Sequence, residues 1–221
     1  MYLSELKAVI FDLDGTLVNT AFLHKDAWEL ALKELCIETK VDVTHLLGRR
    51  SADIAKILAG DRWKELLEVK NRIFLKLVEE KAEPLPCAKD VLEFLRLNGL
   101  KTAIVTSSNR LSASKVLQVT GIIADCLITG DDVSRGKPDP EPVLRAVDCM
   151  GVTRSETAGV GDTIVDLKAY RAAGLRNIIY VRSEVPVDLS EVWELEAEVL
   201  ESLCDLLERW RRGRDLNPRG E

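Results

Sequence analysis

The chain has 221 residues, 46% of them hydrophobic and 31% charged, with a formal net charge of −6. That length allows one large domain or a core with a small companion, and the apolar fraction suffices for a packed interior. The acidic balance gives no reason to expect a nucleic-acid partner, and no run of about 18 apolar residues is present to span a membrane.

The first strand is expected at Ala8-Val9-Ile10-Phe11. It starts too near Met1 to leave room for a signal peptide, so a cytoplasmic protein is expected. Further strand-like runs lie near 102–106, 126–129, 157–160 and 177–181, alternating with helical stretches. This order predicts an α/β fold, a Rossmann-like parallel sheet with right-handed crossovers. Between the first strand and residue 84 the chain reads as helices only. Phe22, Trp28, Leu30, Ala31 and Leu35 recur at helical spacing, as do Trp63, Leu66, Leu67, Ile73, Leu77 and Val78. Pro84 and Pro86 close the segment. The division expected is an α/β core from 1–18 and 84–210, an inserted all-helical cap over 19–83, and a flexible tail over 211–221. The arginines from Arg209 onward have little to bury, so fraying is expected there.

Each strand delivers polar residues at its carboxyl end. Asp12 and Asp14 follow the first strand two residues apart and would repel each other unless paired. A hard cation such as Mg²⁺ relieves that cost, and an aspartate so held can attack phosphorus. After the second strand come Thr106, Ser107, Ser108 and Asn109, whose hydroxyls and N–H groups suit phosphate oxygens or a helix cap. Lys137 lies in a stretch stiffened by Pro138 and Pro140, and its ammonium near Asp12 would steady a nucleophile. Asp162 and Asp166 flank a strand-to-helix junction. The glycines before Asp162 suggest a close backbone approach to a ligand. In open parallel sheets this edge is where ligands bind.

These residues, in this order, resemble the haloacid dehalogenase-like superfamily of phosphohydrolases. The matching residues are Asp12-x-Asp14-Gly15-Thr16, Thr106, Lys137 within Gly-Lys-Pro-Asp-Pro, and Gly161-Asp162-Thr163-x-x-Asp166. The resemblance implies Asp12 as nucleophile and Asp14 as general acid and then base. It implies that Thr106 and the Ser107 N–H hold phosphoryl oxygens and that Lys137 bridges nucleophile and phosphate. Mg²⁺ would be held by Asp12, the carbonyl of Asp14 and Asp162, with Asp166 supporting from behind. The branch it is most similar to holds phosphoglycolate phosphatases and β-phosphoglucomutases, in which a helical cap covers the site and selects the substrate.

Within the cap, His24, Lys25, Arg49, Arg50, Lys70 and Arg72 are the basic residues considered. Arg49 and Arg50 after Gly48 are the best candidates to grip an anionic leaving group. His24-x-x-Ala27-Trp28 with Lys70-Asn71 resembles the mutase cap. Gly15-Thr16, Gly161-Asp162 and Ser51 depart from the mutases, which have Gly-Val, Glu-Asp and an arginine at those places. The leading expectation is a Mg²⁺-dependent phosphatase acting on a small phosphorylated metabolite, phosphoglycolate being one candidate. The alternatives are a sugar-phosphate mutase and a non-catalytic phosphate-binding module. Oligomeric state is left open.

Cys36, Cys87, Cys126, Cys149 and Cys204 have neither zinc-site nor redox-motif spacing, and are expected to be mostly buried small apolar residues. Gln118 is the only glutamine, a composition that leans toward thermophiles, where an intracellular disulfide is not excluded.

Overall fold

The computed structural model describes residues 5–215, with side chains described through residue 213. In chain order the strands are β1 (Ala8–Phe11), β2 (Lys101–Val105), β3 (Cys126–Ile128), β4 (Thr157–Gly161), β5 (Asn177–Val181) and β6 (Glu198–Leu200). All pair in parallel, in the order β3-β2-β1-β4-β5-β6. This is the Rossmann-like α/β sheet, with β1 at the centre. β2 and β4 flank β1, so the chain builds outward on both sides of it. That reversal opens a crevice at the carboxyl end of β1.

Alternation along β1 builds both faces. Val9 and Phe11 join one apolar cluster with Ile104, Val160, Val91 and Leu95. Ala8 and Ile10 join the other with Ala103, Val105, Val143 and Tyr170. A strand buried on both sides reads as a continuous apolar run, which is why β1 was legible. In β4, Gly159 and Gly161 are small for a reason other than a ligand. A Cβ on Gly159 would lie 2.6 Å from the Tyr170 ring, and one on Gly161 would lie 2.6 Å from Asp166 Cβ. The close approach expected before Asp162 is made by side chains of the following helix.

The helices number α1 (Ala21–Glu34), α2 (Ser51–Ala59), α3 (Trp63–Lys81), α4 (Ala88–Leu97), α5 (Arg110–Thr120), α6 (Glu141–Met150), α7 (Ile164–Ala172), α8 (Leu189–Glu194) and α9 (Leu203–Asp215). The stretch holding α1 to α3 has its own apolar centre of Trp28, Leu32, Leu46, Ile54, Leu58 and Leu66. Leu30, expected on the inner face of α1, is 46% exposed. The buried stripe of α3 is Leu66, Lys70, Phe74 and Val78, so a lysine occupies an inner position. The chain enters and leaves this stretch side by side. Asn19 N donates to Glu83 O at 3.1 Å and Leu85 N to Leu17 O at 2.9 Å.

The carboxyl end corrects the expected tail. Helix α9 runs to Asp215, burying Leu203, Leu206, Leu207 and Trp210 in the core that contains α4. Residues 211–215 are therefore helical, and 216–221 lie outside the described residues. The cysteines need correction too. Cys87 pairs with Cys204, tying the start of α4 to α9, and Cys126 pairs with Cys149, tying β3 to α6. Cys36 is free and exposed. No helix among the described residues is long and apolar enough to cross a membrane.

Candidate active site

Asp12, Thr106 and Asp162 each immediately follow a strand, β1, β2 and β4. Lys137 comes from the loop between β3 and α6, and Asp166 from the first turn of α7. Lys137 Nζ donates to Asp12 Oδ1 at 2.7 Å, to Asp166 Oδ1 at 2.5 Å and to Val105 O at 3.1 Å. Burial works against this ammonium. Asp12 and Asp166 overcome that and hold it protonated, well above the ordinary lysine range.

The carboxylates outnumber the ammonium. Asp12, Asp162 and Asp166 each offer an oxygen, all within 4.8 Å of one another. Burial first, and then Asp166, push the Asp12 carboxyl well above its ordinary value against the pull of Lys137. Burial and Asp166 likewise push Asp162 up to about 7. Asp162 Oδ1 accepts from Thr16 Oγ1 at 2.7 Å, but its buried Oδ2 has no partner. Gly15, at φ +96°, leaves that oxygen free, since a Cβ there would sit 2.3 Å from it. Asp166 Oδ2 is already engaged by the N–H and hydroxyl of Thr163, the capping box of α7. A surplus of buried oxygen ligands with one oxygen unpaired fits a hard divalent cation. Asp12 and Asp162 have the oxygens to hold it, while Asp166 is tied to Lys137 and Thr163.

Asp14 has a different environment. Its Oδ1 accepts from Thr20 Oγ1 at 2.6 Å, and its Oδ2 from Thr106 Oγ1 at 2.9 Å and Ser108 Oγ at 3.0 Å. His24 Nε2 lies 3.2 Å from Oδ1. Burial would raise this carboxyl, but His24 and the hydroxyls prevail and hold it far below the usual carboxylate range. Thr20 caps α1 without a side-chain cap bond, because its hydroxyl serves Asp14.

His24 is stacked on Phe74, with ring centroids 3.8 Å apart, and its Nδ1 lies 2.9 Å from Lys70 Nζ. Burial first, and then Lys70, hold the imidazole below its ordinary pKa against the pull of Asp14. With Lys70 donating to Nδ1, the ring hydrogen is on Nε2 and faces Asp14 and Ser108. Burial brings Lys70 down to about 7. His24 thus serves Asp14 directly. Sequence reasoning missed Thr20 and Ser108 as partners of Asp14, and it left the burial of Lys70 unread. A clue to the latter was its place four residues from Leu66 and Phe74 on α3.

The cavity over Asp12 and Asp14 encloses about 40 Å³ and is bounded by His24, Trp28, Arg49, Ser107 and Val185 among others. A water needs roughly 10–15 Å³ of such space, so there is room for about three. Arg49 faces this cavity, and its guanidinium has no hydrogen-bond or ion-pair partner among the described residues. Arg50 is not brought there. Its guanidinium is committed to Asp53 and to the carbonyls of Val133 and Ser134. The expected phosphate role of Arg50 is corrected on that ground. Ser107 Oγ donates to Gly48 O at 2.6 Å, and Thr106 donates to Asp14, so neither hydroxyl is idle.

A family model described as haloacid dehalogenase-like hydrolase matches residues 6–174. Phosphoglycolate phosphatase of Aquifex aeolicus is 30% identical over 192 residues, covering 82% of this chain and 90% of that protein. Pyrophosphatase PpaX of Halalkalibacterium halodurans is 30% identical over 183 residues, covering 79% and 83%. Among solved structures, a hydrolase from Pseudomonas syringae superposes with a TM-score of 0.83 at 28% identity, covering 93% of this chain and 98% of that one. With the match spanning both aspartates of the first motif, Thr106, Lys137, Asp162 and Asp166, the chain belongs to the haloacid dehalogenase-like hydrolase family.

Proposed function

We propose that the protein is a Mg²⁺-dependent phosphatase of a small phosphorylated metabolite that bears a second anionic group. The observation that carries this is the buried cluster of Asp12, Asp162 and Asp166 around a single ammonium, with Asp14 held separately beside it. Asp12 attacks phosphorus in line, and the bond to the leaving oxygen breaks as the aspartyl-phosphate forms. Asp14 picks up a proton from solvent as substrate binds, gives it to that oxygen, and then takes one from the water that cleaves the aspartyl-phosphate. Lys137 holds Asp12 in place and offsets charge on the phosphoryl oxygens. Asp12, Asp162 and the Asp14 carbonyl would hold Mg²⁺, which would supply positive charge beside the phosphoryl oxygens.

The hydroxyls around Asp14 give it a way to become an acid. Thr106 now donates to Asp14, and a phosphoryl oxygen competes for that same hydroxyl. Each donor that turns from Asp14 to phosphate raises the carboxyl's affinity for a proton. Substrate binding thereby prepares the acid for the leaving group.

Residues 19–83 act as the lid over the cavity that holds the leaving group. Arg49, unpaired and facing the cavity, suits a carboxylate or a second phosphoryl group. Phosphoglycolate and pyrophosphate, the substrates named in the two relatives, both have this shape. Gly15-Thr16, Gly161-Asp162 and Ser51 all depart from the mutase pattern, so a mutase is the weaker reading. Phosphate release from phosphoglycolate, pyrophosphate, p-nitrophenyl phosphate and both glucose phosphates tests this. The first two are expected to be best, and interconversion of the glucose phosphates without release would favour the mutase.

A further inference from the structure

Residues 47–50 form a strap across the carboxyl edge of the sheet, where they meet several core loops. Leu47 packs with Ala21 against Val185. Gly48 O accepts from Ser107 Oγ at 2.6 Å. Gly48 has φ +89°, and a Cβ there would lie 2.8 Å from Thr163 Oγ1, so only glycine lets the strap lie this low.

Arg50 completes the strap and reaches furthest. Its Nε and Nη2 donate to the two oxygens of Asp53 at 2.8 and 3.2 Å, which fixes the plane of the fork. Its Nη1 then donates to Ser134 O at 2.9 Å and Val133 O at 3.3 Å. The stem lies on the Gly136 backbone, where a Cβ would come within 2.3 Å of Arg50 Cγ. From the other side, Glu141 accepts from the N–H groups of Ser134 and Arg135, both at 3.0 Å. The loop 133–136 is thus clamped between Arg50 and Glu141. The next residue is Lys137, whose ammonium holds Asp12.

We infer that Arg50 is a positioning residue: docking of its guanidinium on the Val133–Gly136 loop couples the seating of the 47–50 strap to the placement of Lys137 against Asp12. Arg49 and Arg50 then divide the work. Arg49 faces the substrate cavity, while Arg50 faces away and acts through the loop. Removing Arg50 loosens the lysine's support for every substrate alike, whatever the leaving group.

The kinetic arm rests on the phosphatase reading; the exchange arm does not. Amide hydrogen exchange over 133–137 is measured for the wild type, Arg50→Ala and Gly136→Ala, with kinetics on p-nitrophenyl phosphate and phosphoglycolate. Gly136→Ala keeps the arginine but displaces its stem, because the new Cβ would lie 2.3 Å from Arg50 Cγ. Both variants are expected to speed exchange in 133–137 by about tenfold while leaving the sheet strands unchanged. Both are expected to lower kcat about tenfold on both substrates with KM little changed, and the double variant to lose little more than either. Unchanged exchange at 133–137, or exchange rising throughout the protein, overturns the coupling. A kcat/KM loss confined to phosphoglycolate also overturns it, because Arg50 would then be a substrate contact. If the wild type hydrolyses neither substrate, the phosphatase reading has failed and the exchange result still decides the coupling.

Discussion

Lys70 Nζ lies 2.9 Å from His24 Nδ1 in a pocket closed by aromatic rings, 4.6 Å from the Phe74 centroid and 5.1 Å from that of Trp28. The rings favour the cation, yet burial brings Lys70 down to about 7. A base with a depressed pKa in the folded state releases its proton on folding between that value and its ordinary 10.5. The unfolded chain binds more protons in that window, so stability from this group rises as pH climbs from about 7 toward 10.5. Lys70→Met should therefore raise Tm at pH 7 or below, with the gain shrinking toward pH 10. For a chain of this size each kcal/mol is worth about 2–4 °C, so calorimetry across that range reads it directly.

Arg49 supplies the test of leaving-group recognition. Arg49→Ala removes a charge-assisted contact to the second anion, worth about 1.5–3 kcal/mol. The expected loss in kcat/KM is roughly 10–150-fold for phosphoglycolate and pyrophosphate, with little change for p-nitrophenyl phosphate. Steady-state kinetics on the three substrates checks this.

Gly15 should be irreplaceable for metal binding. In Gly15→Ala the new Cβ falls on Asp162 Oδ2, at a φ of +96° that L residues rarely adopt. Titration with Mn²⁺, followed by paramagnetic relaxation of water, should show weaker binding by about tenfold or more in this variant. Equal binding would mean that Asp162 Oδ2 is not a ligand.

The Cys87–Cys204 bond closes a loop spanning 117 residues in sequence. Constraining the unfolded chain over such a loop stabilises by about 4–5 kcal/mol in the chain-entropy account, against about 3 for a loop of some 20 residues. Cys204→Ala should lower Tm more than Cys149→Ala, and neither should change kcat at 25 °C. Thermal unfolding of the two variants compares them.

The parts of this fold that follow local rules were legible in the sequence. β1 is buried on both faces and reads as an unbroken apolar run, and Asp12 follows it directly. The same reasoning reached Thr106, Lys137 and Asp162, because each ends a strand or sits in a proline-stiffened loop. What was hidden depended on tertiary neighbours. β6 is three half-buried residues in an acidic stretch, too short to show a pattern. The glycines of β4 answer to Tyr170 and Asp166, which lie on the next helix. The disulfides join cysteines whose spacing carries no signature. Lys70 stands out in the sequence only through its likeness to the mutase cap, and its burial appears only once Phe74, Trp28 and His24 enclose it. Arg49 and Arg50 are adjacent in sequence, and only the turn at Gly48 sends one to the cavity and the other to the Val133–Gly136 loop.

The most direct test of the central claim is phosphate release from phosphoglycolate and pyrophosphate by the wild type and Asp12→Asn, each with Mg²⁺ and after chelation. Asp12→Asn keeps the shape and most of the packing while removing the attacking carboxylate. The account predicts Mg²⁺-dependent release by the wild type, abolished by chelator. It predicts a fall of about a thousandfold or more in Asp12→Asn, with the fold intact by circular dichroism. Release that persists in Asp12→Asn, or that chelator leaves unchanged, would contradict it.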